Sequence, residues 1–165
     1  MLPAGALEEE IAEDINDTKR TASFLHLHVG IDAAGIDVGS IDTHYTVMRK
    51  GWDEPCGEGN MVAVSIPSVL DPSLAPEGCH IIHAYAAGNE DWETWAEFDG
   101  STGEDGRAAY RKSQAYQDKK AERAEILWSA IESIIPDARR RAQVAEVGTP
   151  LTHKRFNRRF EGTYV

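Results

Sequence analysis

Two histidines at alternate positions offer the first chemistry in this sequence. His26 and His28 lie in SFLHLHVGI, where aliphatic residues alternate with other types. Side chains two residues apart in a strand share a face, so both imidazoles can reach one metal ion. The histidines that would have to supply a third ligand are His44, His80, His83 and His153. Two ligands do not define a metal site, so we expect no metal and favour structural or substrate-lining histidines.

Basic residues near the end of the sequence offer a second chemistry. A guanidinium fork matches phosphate oxygens, so Arg155, Arg158 and Arg159 can hold a phosphate or the edge of a cofactor. Each of these arginines could equally well lie on a charged surface exposed to solvent and bind no ligand. The spacing reveals no Ser/His/Asp or Cys/His nucleophile arrangement, and we assign no catalytic residue.

The sequence lacks the usual nucleotide-binding loops. It contains neither G-x-G-x-x-G nor G-x-x-x-x-G-K-[ST], whose backbone amides bind a pyrophosphate or a triphosphate. The Rossmann dinucleotide motif is therefore absent. We expect these residues alone not to bind a dinucleotide.

Alternating apolar residues predict strands in the first half of the chain. The predicted strands are residues 23–31, 43–49, 61–66 and 79–86. The linkers between them are rich in Gly, Pro, Asp and Asn, which are turn residues. Short strands joined in this way favour antiparallel pairing. The predicted fold class is therefore α+β, with an antiparallel or mixed sheet and packed helices.

Helices are predicted in the second half. Apolar residues at three- and four-residue spacing predict a helix at about 107–135, one side of which packs on the sheet. Residues 142–147 predict a further strand. Thr152 is placed to cap a short helix from His153 to Phe160.

Six aromatic residues have two interpretations. They can line a pocket for a long apolar ligand, or they can pack in the core. Aromatic residues at helical spacing more often belong to a core, which we favour. The six are Trp92, Trp95, Phe98, Tyr110, Tyr116 and Trp128.

The composition indicates a globular domain with an uneven charge distribution. Of 165 residues, 41% are hydrophobic and 27% are charged, which suits one packed core. Residues 1–105 carry 4 basic and 21 acidic side chains, whereas residues 106–165 carry 13 and 7. The two parts should attract each other. An acidic protein with one basic edge is not a typical nucleic-acid binder, so we expect no nucleic acid.

The sequence predicts neither a membrane span nor a targeting peptide. No run approaches the roughly 18 apolar residues that a spanning helix needs. The first residues are acidic, unlike a signal or transit peptide. Cys56 and Cys79 form no C-x-x-C motif or Cys/His cluster, so we expect two reduced thiols.

Four stretches carry a resemblance to a known family. They are SFLHLHVGIDAAG, VAVSIPSVLDPSLAPEGCHIIHAYAAG, KKAERAEILWSAIE and VGTPLTHKRFNRRFEGTY. In order and spacing they resemble the carotenoid cis-trans isomerases (prolycopene isomerases), relatives of FAD-dependent phytoene desaturases and amine-oxidase-like oxidoreductases. Members of that family are much longer. The resemblance implies a fragment in which residues 1–147 belong to the substrate domain and residues 148–165 begin the return toward a missing FAD domain.

The resemblance also implies a reaction and a cofactor. The complete enzyme is expected to convert poly-cis-lycopene to all-trans lycopene with reduced FAD and no net redox change. The residues implied near the flavin by matching position are Thr149, Pro150, Thr152, Arg155, Gly162, Thr163 and Tyr164. On the substrate side, the resemblance implies His26, His28 and His153. Without the missing FAD-domain segments, the chain alone is expected to be inactive.

Two alternative functions stay open. One is a carotenoid desaturase or a retinol-saturase-like oxidoreductase, which changes the hydrogen count of its substrate. The other is a non-catalytic module that binds an apolar ligand or a prenylated protein, as the absence of flavin loops would favour. A carotenoid enzyme takes its substrate from a membrane, so the resemblance also implies peripheral membrane association, in a plastid.

Overall fold

Five helices and one five-stranded sheet form the part of the chain that the structure, a computed structural model, describes: residues 8–19, 21–100 and 110–163. The helices are α1 (Glu9–Asp17), α2 (Glu93–Ala96), α3 (Gln114–Ile134), α4 (Ala138–Arg141) and α5 (Pro150–Asn157). The strands are β1 (Ser23–Asp32), β2 (His44–Met48), β3 (Met61–Ser65), β4 (Cys79–Glu90) and β5 (Ala142–Gly148). This architecture confirms the predicted α+β class.

The sheet has the strand order β2-β3-β4-β1-β5, and every neighbouring pair is antiparallel. The two longest strands, β1 and β4, therefore lie side by side near its centre. Each predicted strand is present. β4 continues to Glu90, four residues beyond the predicted end at residue 86, because the backbone of Ser23 still pairs with Glu90.

The core lies between one face of the sheet and α3. Alternate residues of β1, among them Leu25 and Leu27, are fully buried on that face. The helix contributes Leu127 and Ile131, which are also buried. The core interpretation of the aromatic residues is confirmed. Trp95, Tyr116 and Trp128 are buried, and the partly buried members that pack against them are Trp92, Phe98 and Tyr110.

The long helix begins later than predicted. Residues Tyr110–Lys112 form a 3-10 turn, and α3 starts at Gln114. Ser113 sets this start because its hydroxyl accepts a hydrogen bond from the amide of Tyr116. Residues 107–109 of the predicted helix lie outside the described residues. The predicted end near residue 135 is correct.

The predicted cap of the last helix was wrong. Thr149, not Thr152, is the N-cap of α5, and the helix begins at Pro150. The amide of Thr149 donates to the Thr152 hydroxyl at 3.0 Å, which completes a capping box. Proline suits the first helical position because its missing N–H needs no partner there. The helix ends at Asn157, earlier than predicted, and Arg158 follows in a left-handed conformation.

Three helices were not predicted. α1 has Ile11 and Ile15 four residues apart on one face, but both are exposed and no residue of this helix is buried. α2 and α4 are single turns of four residues, too short for a periodic pattern. No helix among the described residues is long and apolar enough to cross a membrane. Both cysteines are free, as predicted; Cys56 is exposed and Cys79 is half-buried.

Candidate functional site

Five ring side chains cover the sheet on the face away from α3. On β1 they are Phe24, His26 and His28; on β4 they are His83 and Tyr85. The register places His28 opposite His83 and His26 opposite Tyr85. The rings of His28 and His83, with centroids 4.3 Å apart, and those of Phe24 and Tyr85, 5.8 Å apart, are nearly parallel, whereas the rings of His26 and Tyr85 are inclined by 29°. We call these five residues the ring face.

Helix α5 closes one end of the ring face. The ring of His153 lies 5.0 Å from that of His26, and α5 also contributes Phe156 to the same cavity. This cavity has a volume of about 380 Å³. The structure therefore brings together all three residues predicted on the substrate side, His26, His28 and His153. That they contact substrate stays a prediction.

His83 and Tyr85 were not among the predicted site residues. Their alternation in CHIIHAYA places them on one face of β4. The sequence does not give the register of β4 against β1, and that register sets His83 against His28. Alternating ring side chains on the predicted strands identify His83 and Tyr85 as candidates, but they do not show which residues of β1 lie opposite them.

The half-buried histidines of this site are neutral at neutral pH. Burial is the main cause that lowers the pKa of His26 to about 3, and His153, His83 and His28 lower it further. Burial, with a contribution from His28, lowers the pKa of His83 to about 4. Burial and then Arg159 lower the pKa of His153. The ring face is therefore aromatic and largely uncharged.

Most residues predicted near the flavin shape the backbone around α5. The buried Thr149 hydroxyl lies 3.0 Å from the hydroxyl of Tyr116, and Thr152 completes the capping box. Thr163 donates to the carbonyl of Phe160 at 2.9 Å. These contacts give the threonines a structural role.

Pro150 and Gly162 meet at the end of the described chain. Both are buried, and Gly162 has a φ of 64°. A Cβ atom at Gly162 would overlap the carbonyl oxygen of Pro150. The flavin contacts of these residues stay predictions, and Tyr164 lies outside the described residues.

Arg155 lines a second cavity, which has more basic than acidic side chains. Its volume is about 580 Å³; its basic lining residues are Lys154, Arg155, Arg158 and Arg159, and its acidic ones are Asp99 and Glu161. Lys154 also pairs with Asp99 at 2.5 Å. The aromatic lining residues are Trp92, Tyr110 and Phe160. Guanidinium groups beside flat rings fit an anionic group with an aromatic portion, such as one edge of a flavin dinucleotide. We call this the cationic cavity.

A sheet with a neutral ring face and a neighbouring cationic cavity defines an α+β segment with two candidate ligand sites, and comparison with known proteins gives it relatives. The chain is 31% identical to prolycopene isomerases 1 and 2, chloroplastic, of an Oncidium hybrid cultivar, over 94% of its own length and 25% of theirs. It is 33% identical to the chloroplastic prolycopene isomerase of Arabidopsis thaliana, over 88% of its length and 22% of that protein. No family model matches the chain.

These matches confirm the resemblance to the carotenoid isomerase family. The chain is similar, over about nine-tenths of its length, to one segment of proteins named prolycopene isomerase. It spans about a quarter of the length of these curated relatives.

Proposed function

We propose that this chain is a substrate-binding segment of a plastid carotenoid isomerase, which converts poly-cis-lycopene to all-trans lycopene without net redox change. Similarity to proteins named prolycopene isomerase, chloroplastic, supports the family and the location. The structural observation that carries the proposal is the ring face. It offers a conjugated hydrocarbon a surface of stacked aromatic rings.

The chemistry of the ring face suits a polyene. A conjugated chain is planar and apolar, so it packs against aromatic rings and avoids charged groups. The lowered pKa values of His26 and His83 keep both imidazoles neutral. From Phe24 to His28 the strand spans roughly 13 Å, at about 3.3 Å per residue, and supports several double bonds. The ring face thus orients the polyene and excludes water from one side of it.

The cationic cavity is proposed to hold the anionic edge of FAD. When bound, reduced FAD supplies the reversible electron or proton exchange that lowers the bond order of the polyene. Arg155 and Arg158 line this cavity and offer guanidinium forks. α5 carries His153 of the first cavity and Arg155 of the second, so one helix lies between the two ligands.

Peripheral membrane contact follows from the same helix region. Phe156 and Phe160 are exposed, although both are large and apolar. They lie in the sequence beside the basic residues Arg155, Arg158 and Arg159. An apolar patch with a basic rim is the usual means by which a soluble domain docks on an anionic lipid surface. We propose that carotenoid enters from that surface.

A chimera tests the proposal. The segment of the Arabidopsis prolycopene isomerase that matches this chain would be replaced by this chain, and the product would be supplied with poly-cis-lycopene under reducing conditions. We expect all-trans lycopene of unchanged mass, because the ring face replaces the corresponding surface of the host. Chromatography resolves the isomers, mass spectrometry gives the hydrogen count, and absorbance measures bound flavin.

Matched variants assign the effect to the ring face. Tyr85→Ala in the chimera should lower turnover, whereas Leu70→Ala, at an exposed site elsewhere, should not. A flavin-loaded chimera that yields no isomer would contradict the proposal. A product with altered mass would point instead to a desaturase or a saturase, and carotenoid binding without turnover would point to a binding module.

A further inference from the structure

Three histidines of the ring face bring their nitrogens together. His28 and His83 are directly opposite in the β1–β4 pair, and His26 lies two residues along β1. One nitrogen from each of the three rings lies within 4.8 Å of those of the other two. The Nδ1 of His26 and the Nε2 of His83 are 2.9 Å apart. Two nitrogens bound to one ion at about 2.0–2.1 Å stand roughly 3 Å apart, so the strands already hold imidazoles at ligand spacing.

The innermost ring has a nitrogen that the cluster does not use. His26 Nε2 is buried and has no hydrogen-bond partner in the described structure. If His26 Nδ1 donates to His83, then Nε2 is a bare acceptor; if Nδ1 accepts, then Nε2 carries an unpaired proton. In both tautomers, then, one nitrogen of His26 stays without a partner among the described residues.

The ligand chemistry is that of a transition metal. Neutral imidazole is the form that binds a metal, and each of the three rings has one nitrogen within 4.8 Å of those of the other two. Neutral rings give an anion no charge to bind. Glu146 is paired with His28 across β1 and β5 and lines the same cavity, but it is not a member of the three-histidine group. Imidazole suits zinc, cobalt, nickel and copper, whereas magnesium and calcium prefer oxygen ligands.

The rings have to turn for the three lone pairs to converge. The rings of His26, His28 and His83 lie within 6° of parallel, so their lone pairs do not meet at one point. His28 is exposed, so its side chain can rotate without displacing core atoms. His26 Nδ1 and His83 Nε2 share one proton, so their hydrogen bond has to open, and that proton has to move to another ring nitrogen or to water, before both nitrogens bind an ion. Metal binding therefore exchanges this hydrogen bond for two metal–nitrogen bonds.

We propose that His26, His28 and His83 bind a divalent transition-metal ion of the zinc, cobalt, nickel or copper class. This site departs from our expectation from sequence spacing that the chain has no metal. It goes beyond the proposed function and does not depend on it, because the argument rests on the three histidines and the cavity above them. A bound cation would place charge on the ring face, so metal and carotenoid should compete for it, and each can be tested without the other.

Metal titration of the 165-residue chain tests this inference. After stripping with a chelator, the chain would be titrated with Zn²⁺ by calorimetry and with Co²⁺ by visible absorption. We expect a single site with the Co²⁺ bands of nitrogen and oxygen ligands. No thiolate charge-transfer band is expected, because Cys56 and Cys79 are not members of the cluster.

Histidine-to-glutamine variants locate the site. His28→Gln removes an exposed ligand and should keep the fold, which circular dichroism verifies; His83→Gln provides a second test. Each should weaken Zn²⁺ binding by at least about tenfold. The matched control is His44→Gln, because His44 is exposed on β2 and bonds to Ser65 at 2.9 Å. Its affinity should equal that of the unchanged chain.

Three results would overturn the inference. The first is an unchanged affinity in both His28→Gln and His83→Gln. The second is a thiolate band in the Co²⁺ spectrum that disappears in Cys56→Ser. The third is the absence of any saturable Zn²⁺ binding by the folded chain.

Discussion

Gly162 is the residue with the least room for a side chain. Its φ of 64° favours glycine, and an added Cβ would overlap the carbonyl of Pro150. Ser23 also donates to the Gly162 carbonyl at 2.5 Å, which ties this turn to the start of β1. We therefore expect Gly162→Ala to lower the free energy of unfolding by more than about 2 kcal/mol, as measured by urea denaturation.

Gly78→Ala is the matched control for this prediction. Gly78 has a similar φ of 75°, but nothing lies within 4 Å of an added Cβ. Only backbone strain is added there, so the free energy of unfolding should fall by about 1 kcal/mol. Equal losses in the two variants would show that crowding at Pro150 does not matter.

Glu90 joins three elements through a buried ion pair. It ends β4, it is fully buried, and it accepts hydrogen bonds from Trp95 of α2 at 2.9 Å and from Arg123 of α3 at 2.6 Å. Glu90→Gln leaves the guanidinium of Arg123 without its buried counter-charge. We expect a loss of roughly 3 kcal/mol in the free energy of unfolding, measured by urea denaturation.

The control for Glu90 uses the same arginine. Glu58 also accepts from Arg123, at 2.7 Å, but its side chain is 68% exposed. Water screens that pair, so Glu58→Gln should cost less than about 1 kcal/mol. The interpretation fails if Glu58→Gln is as destabilising as Glu90→Gln.

At the scale of elements, the sequence predicts the strands and helices that have a regular apolar spacing. The alternation in β1 gives both the strand and its two faces, and the stripe on the long helix gives its contact with the sheet. The start of α3 was missed because it depends on the Ser113 cap rather than on apolar spacing. The start of α5 was missed because Thr149 and Thr152 are both capping residue types, and only the backbone distinguishes them.

The candidate site was predictable only in part for a related reason. Histidines on one face of β1 follow from spacing, and so does the placement of His83 and Tyr85 on one face of β4. The contact between His28 and His83 depends on the register, to which distant residues contribute. The stacking of His153 near His26 depends on how α5 packs after β5. Sequence patterns predict on which face of a strand a side chain lies, whereas tertiary packing determines which other side chains it contacts.

For the molecule as a whole, the uneven charge distribution produces specific contacts. Arg123 of the basic part pairs with Glu58 and Glu90 of the acidic part, and Lys154 pairs with Asp99. The predicted attraction between the two parts therefore appears as ion pairs. Glu90 and Arg123 are largely buried, so this pair is less subject to screening by salt than the exposed ones.

Acid stability is a further property of the whole molecule, measured on metal-free protein in a chelating buffer. Histidines in the unfolded chain take up protons near pH 6.5, whereas in the folded chain His83 does so only near pH 4 and His26 near pH 3. Stability should thus be full above pH 6.5 and fall as the pH is lowered toward 4. The titratable and charged groups facing these rings are His28, Tyr85, Glu146 and His153, with Arg159 near His153.

The urea midpoint between pH 6.5 and 5 isolates this effect, because most carboxylates stay ionised in that range. His83→Gln removes one of the neutral buried imidazoles, so its midpoint should depend less on pH than that of the unchanged chain. His44→Gln removes an exposed histidine outside the cluster and should retain the full dependence. A slope that His83→Gln leaves unchanged would mean that His83 is protonated in the folded state as readily as in the unfolded one, and this part of the ring face would then not be neutral.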